Sequence, residues 1–257
     1  MTESVSVIIP CYNVEETVVR ALDSIFGQSY PIFEVICVDD CSTDNTKDVI
    51  LDYKDCRVKY IKNIKNSGPS YSRNIGFKQS VGSIVAFLDA DDYWHSDKVK
   101  AQIALLRYFD FEVVSCSYFD GELHRVKETI GYRILTLSEI MLSNIISTPS
   151  VLMHRSAFLL FNEEMKYSED FDLWLRLIRN GSRFGYINKD LVYLDKLSFG
   201  EGGLSSDLLS MELGEIKTIW NNSTKIYEKT FYCIYSLVKF LRRLFIVYRR
   251  KIKSFSN

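Results

Sequence analysis

The stretch Phe33-Glu-Val-Ile-Cys-Val38-Asp39-Asp40-Cys41-Ser42-Thr43-Asp44 decides the fold. Its first half is an apolar run of strand length, and its second half is made of turn formers. The same pattern lies upstream, where Val5-Ser-Val-Ile-Ile9 is closed by Pro10. Between the two runs, Val18, Val19, Leu22, Ile25 and Phe26 give Glu15 to Phe26 helical spacing. Downstream, the pattern predicts a short helix from Asp44 to Tyr53, a strand over Val58-Lys-Tyr-Ile61, a helix from about Ser70 to Gln79, and a strand over Ile84-Val-Ala-Phe-Leu88. Strands alternating with helices at this spacing mean right-handed βαβ units and a mainly parallel sheet, hence the α/β class. Ligands of such sheets sit beyond the C-terminal ends of the strands.

The pattern loosens after a helix that starts at Lys98. Val113-Val-Ser-Cys116 and Ser150-Val-Leu-Met-His154 read as strands, and Tyr186 to Leu194 as a last strand region. Ser168-Glu169-Asp170 opens a helix that runs to about Arg179 and stops at Asn180-Gly181. The Gly-rich run Phe199-Gly-Glu-Gly-Gly-Leu-Ser-Ser is a connecting loop.

The composition suits one globular body. The chain has 257 residues, 47% hydrophobic and 14% aromatic, with a net charge of −1. That neutrality hides a split. Residues 225–257 hold nine basic side chains and one acid, Glu228, so the tail carries +8 and the first 224 residues −9. No nucleic-acid partner is expected for the acidic body. The six cysteines form no CxxC pair and no metal-finger spacing, and are expected as buried, reduced thiols. The N-terminus shows no secretory signal pattern, and the longest apolar run of the tail, Phe231 to Val238, is too short to span a bilayer. A cytoplasmic protein, or one attached to the membrane from the cytoplasmic side, is the expectation.

The chemistry lies at the strand ends. The second strand ends in Asp39-Asp40, and the fourth runs into Asp89-Ala-Asp91-Asp92. Carboxylates gathered at neighbouring strand ends repel unless one is protonated or a cation neutralises them. Hard oxygen ligands suit Mg²⁺ or Mn²⁺, which take one or two carboxylates together with substrate phosphates. A metal-bound diphosphate is therefore the expected ligand. No GxGxxG follows the first strand and no P-loop pattern occurs, which argues against dinucleotide and P-loop chemistry. Arg73 falls early in a helix that should open onto the same cleft, where a guanidinium could contact a phosphate or brace the acidic cluster.

Five stretches together resemble family 2 of the inverting nucleotide-sugar glycosyltransferases, of the bacterial surface-polysaccharide type. They are Val5-Ser-Val-Ile-Ile-Pro-Cys-Tyr-Asn13, Val38-Asp-Asp-Cys-Ser-Thr-Asp-Asn-Thr46, Arg73-Asn-Ile-Gly76, Phe87-Leu-Asp-Ala-Asp-Asp-Tyr-Trp94 and Ser168-Glu-Asp170. They run in family order, with Cys41 standing where the family often has Gly. The resemblance implies a GT-A fold: a Rossmann-like nucleotide-binding half with a mainly parallel mixed sheet (residues 1–98), an acceptor half (99–224) and an amphipathic C-terminal helix in a basic tail (225–257). It implies that Pro10 and Tyr12 line the nucleotide pocket, that Asp40 accepts from the uracil N–H, and that the donor is a UDP-sugar. Asp89 and Asp91 would form the DxD element, with Asp91 on the Mn²⁺ or Mg²⁺ and Asp89 near the ribose. Asp170 would be the general base, and Glu169 would orient the acceptor. Trp94 would extend the motif or belong to the core. Lys196 and Ser198 fall where related enzymes carry a loop that closes over the donor. The implied acceptor is a sugar on undecaprenyl diphosphate, in surface-polysaccharide or O-antigen assembly.

Two other classes compete. A receiver-like signalling module places its acidic pair after the first strand, whereas here the pair follows the second. A non-catalytic sugar-nucleotide or membrane-binding relic would bind UDP without turnover. The tail adds a partner of its own. At 100° per residue, Lys239, Arg242, Arg243, Arg249 and Arg250 fall within an arc of roughly 120°, and apolar side chains fill the rest. This basic amphipathic helix is expected to lie on an anionic membrane surface or to pack on the catalytic body with its basic face solvated.

Overall fold

The structure is a computed structural model. It describes residues 3–120, 131–195 and 207–255, with side chains up to residue 249. The expected βαβ series forms the first half. In chain order come β1 (Val5–Cys11), α1 (Val18–Phe26), β2 (Glu34–Asp39), α2 (Thr46–Asp52), β3 (Val58–Lys62), α3 (Pro69–Gln79) and β4 (Ile84–Phe87). The second half adds β5 (Tyr93–Trp94), α4 (Lys98–Phe109), β6 (Val113–Phe119), β7 (Tyr132–Leu135), α5 (Leu137–Leu142) and β8 (Leu152–His154). It ends with α6 (Glu169–Arg179), β9 (Phe184–Tyr193), α7 (Leu208–Asn222) and α8 (Ile226–Phe255).

One sheet of nine strands runs through the described residues in the order β3-β2-β1-β4-β8-β6-β9-β5, with β7 paired to β9. Strands β3, β2, β1 and β4 are parallel, while β8 is antiparallel to both β4 and β6. The sheet is mixed, with its parallel part on the N-terminal side. The chain leaves β1 towards β2 and β3, then crosses back to place β4 on the other side of β1. That reversal opens a crevice at the C-terminal ends of β1 and β4. Register brings the relevant ends level, since Cys11 faces Asp39 and Ile8 faces Phe87.

Strand alternation sorts the core into two layers. Val5, Val7 and Ile9 of β1 face the layer under α1 and α4, with Leu22, Ile25, Val99 and Ile103. Ile8 points the other way, to Phe171, Trp174 and Leu177 of α6. Gly76 allows α3 to sit down on this second side. A Cβ there would lie 2.4 Å from Ile8 Cγ2 and 3.3 Å from Val38 Cγ2.

Two expectations need correction. Cys11, Cys37 and Cys116 are buried, but Cys56 is exposed; all six cysteines are free. The tail is helical, but its basic face is not turned to solvent throughout. Lys239 pairs with Glu215 of α7, and Arg243 places Nη2 3.0 Å from the same carboxylate. Among the described residues, no helix is long and apolar enough to cross a membrane.

Candidate active site

A cleft of about 1070 Å³ opens at the C-terminal ends of β1, β2 and β4, lined by Pro10, Tyr12, Asp40, Arg73, Asp89 and Asp91 among others. Glu169 and Asp170 line the same cleft from the start of α6. Residues distant in sequence thus share one volume because each follows a strand or opens a helix at the same sheet edge.

The first wall is a pair of interlocked turns. Asn13, at φ 52°, accepts the Thr43 N–H at 2.8 Å, and its own N–H donates to Ser42 Oγ at 3.0 Å. Asp39 is fully buried and serves the turn, accepting from Ser42 N at 2.8 Å and from the Tyr60 hydroxyl at 2.6 Å. Cys41 sits at φ 65°, in the left-handed region, which is the physical reason glycine suits this position. Asp40 is the acid turned towards the cleft. It accepts from Asn63 Nδ2 at 2.7 Å, from Ser67 N at 2.9 Å and from Gly68 N at 2.7 Å. The Ser67 N–H is shared between both carboxylate oxygens, reaching Oδ2 at 3.0 Å, so each oxygen of Asp40 accepts two contacts and the carboxylate is held rigidly at the cleft wall. Tyr12 stands half exposed at the rim.

The floor is an ion-paired cluster. Arg73, 5% exposed, donates from Nη2 to Asp89 Oδ1 at 2.7 Å and from Nη1 to Glu169 Oε1 at 3.2 Å. Burial alone would lower the guanidinium's pKa, but Asp89 and Glu169 outweigh it and raise it. Of the two roles open to Arg73 in the sequence, bracing the acids is the one it performs here. Its Nε is buried without a hydrogen-bond partner among the described residues. Asn74, beside it, accepts from Phe161 N at 2.9 Å and donates to Glu163 Oε1 at 2.8 Å, fastening the segment before α6 over α3.

Glu169 is pushed up to about 7 by burial and by the Asp170 charge, with Arg73 opposing. Burial likewise raises Asp170, against the Phe171 N–H and Arg73. Its Oδ1 accepts from Phe171 N at 2.6 Å, and Asn144 Nδ2 stands at 3.4 Å from Oδ2. Asp92 is raised to about 8 by burial and by Asp89 and Asp91, and accepts from Asp195 N at 3.0 Å. Arg20 of α1 holds the turn from outside, donating to the Asp91 carbonyl at 2.5 Å and to Asp195 at 2.6 Å.

This donor set suits a hard divalent cation. No group of three or more ligand side chains is present among the described residues. None is needed where one or two carboxylates act together with a diphosphate. The crowding that raises Asp92 marks a field that a cation would relieve.

Trp94 lies in the core at 3% exposure, its indole N–H donating to the Pro149 carbonyl at 2.9 Å. Of the two places the sequence left open for it, Trp94 takes the core. Lys196 and Ser198 lie outside the described residues. Sequence reasoning missed Asn144 and Arg20, which no local motif marks. Asn74 was legible only as a member of the Arg73-Asn-Ile-Gly76 stretch.

A carboxylate-lined crevice at the switch point of a mixed α/β sheet defines a nucleotide-dependent transferase of the GT-A type. The Glycosyl transferase family 2 model matches residues 6–164, and the chain belongs to that family. It is 26% identical over 244 residues to the Escherichia coli UDP-Glc:alpha-D-GlcNAc-diphosphoundecaprenol beta-1,3-glucosyltransferase WfgD, covering 92% of both chains. It is 31% identical to the putative teichuronic acid biosynthesis glycosyltransferase TuaG of Bacillus subtilis, over 69% of this chain and 73% of that one. It spans only 32% of a Rickettsia conorii glycosyltransferase with 32% identity. Among solved structures, S. aureus TarS 1-349 in complex with UDP-GlcNAc superposes with a TM-score of 0.73 at 25% identity, covering 91% of this chain and 71% of that one.

Proposed function

We propose that the chain moves a hexose or N-acetylhexosamine from a UDP-sugar to a hydroxyl of an undecaprenyl-diphosphate-linked sugar, with inversion, during surface-polysaccharide assembly. The observation that carries this reading is Arg73, which ties the DxD acid Asp89 and the α6 acid Glu169 into one cleft. The names of WfgD, which specify a UDP-Glc donor and a diphosphoundecaprenol acceptor, and of the TarS complex support the donor and acceptor classes.

In this reading Pro10 and Tyr12 flank the base, and Asp40, fixed by its backbone and Asn63 donors, takes the uracil N–H. Asp91 would hold Mn²⁺ or Mg²⁺, which when bound offsets the charge gathering on the departing diphosphate. Asp170 takes the proton of the acceptor hydroxyl as its oxygen attacks the anomeric carbon from the face opposite UDP. Burial suits that role, since a carboxylate raised towards neutrality holds a proton better than an ordinary aspartate. Glu169, fixed by Arg73, orients the acceptor. A lipid-borne acceptor brings the enzyme to the cytoplasmic face of the membrane.

The test is UDP release from a panel of UDP-sugars with Mn²⁺ and a GlcNAc-diphosphate-lipid acceptor. One donor should turn over, and Asp170→Asn should lose about 10²-fold or more while still binding UDP. Near wild-type turnover by that variant removes Asp170 as base. UDP binding with no turnover of any donor favours the non-catalytic reading.

A further inference from the structure

Over most of its described length, the C-terminal helix reverses the usual pattern of a surface helix. Such a helix normally buries its apolar stripe and shows its charges to water. In α8 the inward side begins with Tyr232 and Cys233 on the second apolar layer and continues as a polar seam. Ser236 donates to Glu212 Oε1 at 2.8 Å, Lys239 pairs with Glu215, and Arg243 lies 3.0 Å from Glu215 and 3.8 Å from Glu212. Both glutamates belong to α7 and are nearly fully buried. This seam fixes the roll of α8. On the opposite side stand Phe231, Ile234, Val238, Leu241 and Phe245, with Ile234 57% and Leu241 64% exposed. Spacings of three and four residues place all five on one ridge.

We propose that this apolar ridge is a membrane-docking surface, and that its occupant is the interfacial layer of an anionic bilayer. Charge decides between lipid and a second copy of the chain. Arg242 and Arg249 are exposed beside the ridge, and the sequence adds Arg250, Lys251 and Lys253. With Lys239 and Arg243 consumed by α7, Glu228 is the one acid in the tail to set against these cations. Two such helices face to face would oppose cation to cation. Anionic headgroups instead meet the arginines while the ridge enters the acyl boundary. Tyr248 and Tyr235, both exposed, fit the same depth, with a ring in the apolar zone and a hydroxyl in the headgroups. The apolar ridge thus supplies the inserted face, and the cations that remain beside it supply the headgroup contact. The same α7 that grips α8 carries Met211 in the lining of the cleft, so the docked helix and the acceptor side share one element. For its purpose the inference rests on the lipid-linked acceptor reading; its evidence is α8 itself.

The experiment is flotation of the full chain with phosphatidylglycerol–phosphatidylcholine vesicles, with neither donor nor acceptor present. Its failure therefore leaves the transfer reading standing, and failed transfer leaves the docking result standing. The wild type should float with anionic vesicles. L241S/F245S should partition at least about tenfold less, and R242Q/R249Q should weaken binding and reduce its salt dependence. Because the ridge is exposed, these variants should keep the wild-type circular dichroism and melting profile. As an independent probe, a Leu241→Trp variant should be quenched by lipids brominated on their acyl chains. Three results would overturn the proposal. They are absence of flotation, flotation insensitive to L241S/F245S, and a dimer in light scattering that L241S/F245S dissociates.

Discussion

Arg73 is the residue on which the site turns, because it is a buried cation shared by acids from two separate elements. Removing its charge leaves Asp89 and Glu169 facing one another across the cleft, and both α6 carboxyls then hold protons more tightly. The sign is clear for a general base. With Asp170 as the proposed base, transfer needs it unprotonated, so kcat/KM should rise with pH through the titration of the Glu169–Asp170 pair. Glu169 is raised to about 7, so the acid limb should fall near neutrality and belong to the pair as a unit. Arg73→Gln should move that limb to higher pH by about one pH unit or more, and Arg73→Lys should keep it nearer its place while losing the two-pronged grip. A pH–rate profile on the folded fraction of each variant separates these outcomes. An unmoved limb in Arg73→Gln would show that Arg73 does not set the charge state of the base.

At the scale of elements, α3 is the piece that delivers Arg73, and its seating depends on Gly76. Replacing a helix-interior glycine by alanine usually stabilises by about 1 kcal/mol. Here the new methyl would meet Ile8 Cγ2 at 2.4 Å, in a fully buried side chain. Overpacking of that kind costs about 1–3 kcal/mol, so the clash should win. Gly76→Ala should lower the urea midpoint and weaken UDP binding together, as α3 lifts and carries Arg73 with it. A stabilised variant with unchanged UDP affinity would contradict the tight seating. The elements around this helix were legible in sequence because β1, β2 and β4 are buried apolar runs and their Asp-rich ends mark the sheet edge. The elements that escaped have a common cause. Among the described residues β7 pairs only with β9 and has Tyr132, Arg133 and Ile134 exposed and Leu135 alone buried, so it shows no alternating face to read. α7 turns Glu212, Glu215, Thr218 and Asn222 inward and leaves Leu209, Leu213 and Trp220 outside, which defeats any search for an apolar inner stripe. Without α7, nothing in the sequence could say which side of α8 faces in. The amphipathic helix was readable, but its orientation was not.

Over the whole molecule, the −9 body and the +8 tail are joined at the seam between α7 and α8. Two carboxylates of the body neutralise two cations of the tail there, and this contact leaves Arg242 and Arg249 outward. Glu215 carries most of it, since both Lys239 and Arg243 reach it. Burial alone would raise its pKa, but the Lys239 and Arg243 charges overcome burial and lower it below the ordinary glutamate value. A carboxyl lowered on docking contributes stability above its undocked pKa and loses it as pH falls towards the docked one. The grip on α8 should therefore be full at neutral pH and fail on acidification below the ordinary glutamate range. Glu215→Gln should produce the same loosening at neutral pH, because the amide keeps the shape but takes the counter-charge from Lys239 and leaves Arg243 only Glu212, at 3.8 Å. Removing one partner of a buried ion pair can cost about 3–5 kcal/mol. The amide and solvent reaching a terminal helix should hold the loss nearer 1–3 kcal/mol. That loss should be local, because the sheet and its two apolar layers include no residue beyond Cys233. Hydrogen exchange is the discriminating measurement. Protection in α8 should fall selectively in Glu215→Gln, and in the wild type at acid pH, while β1, β2 and β4 stay protected. Equal loss in the central strands would mean that the seam supports the whole fold and does not act as a clamp on one helix.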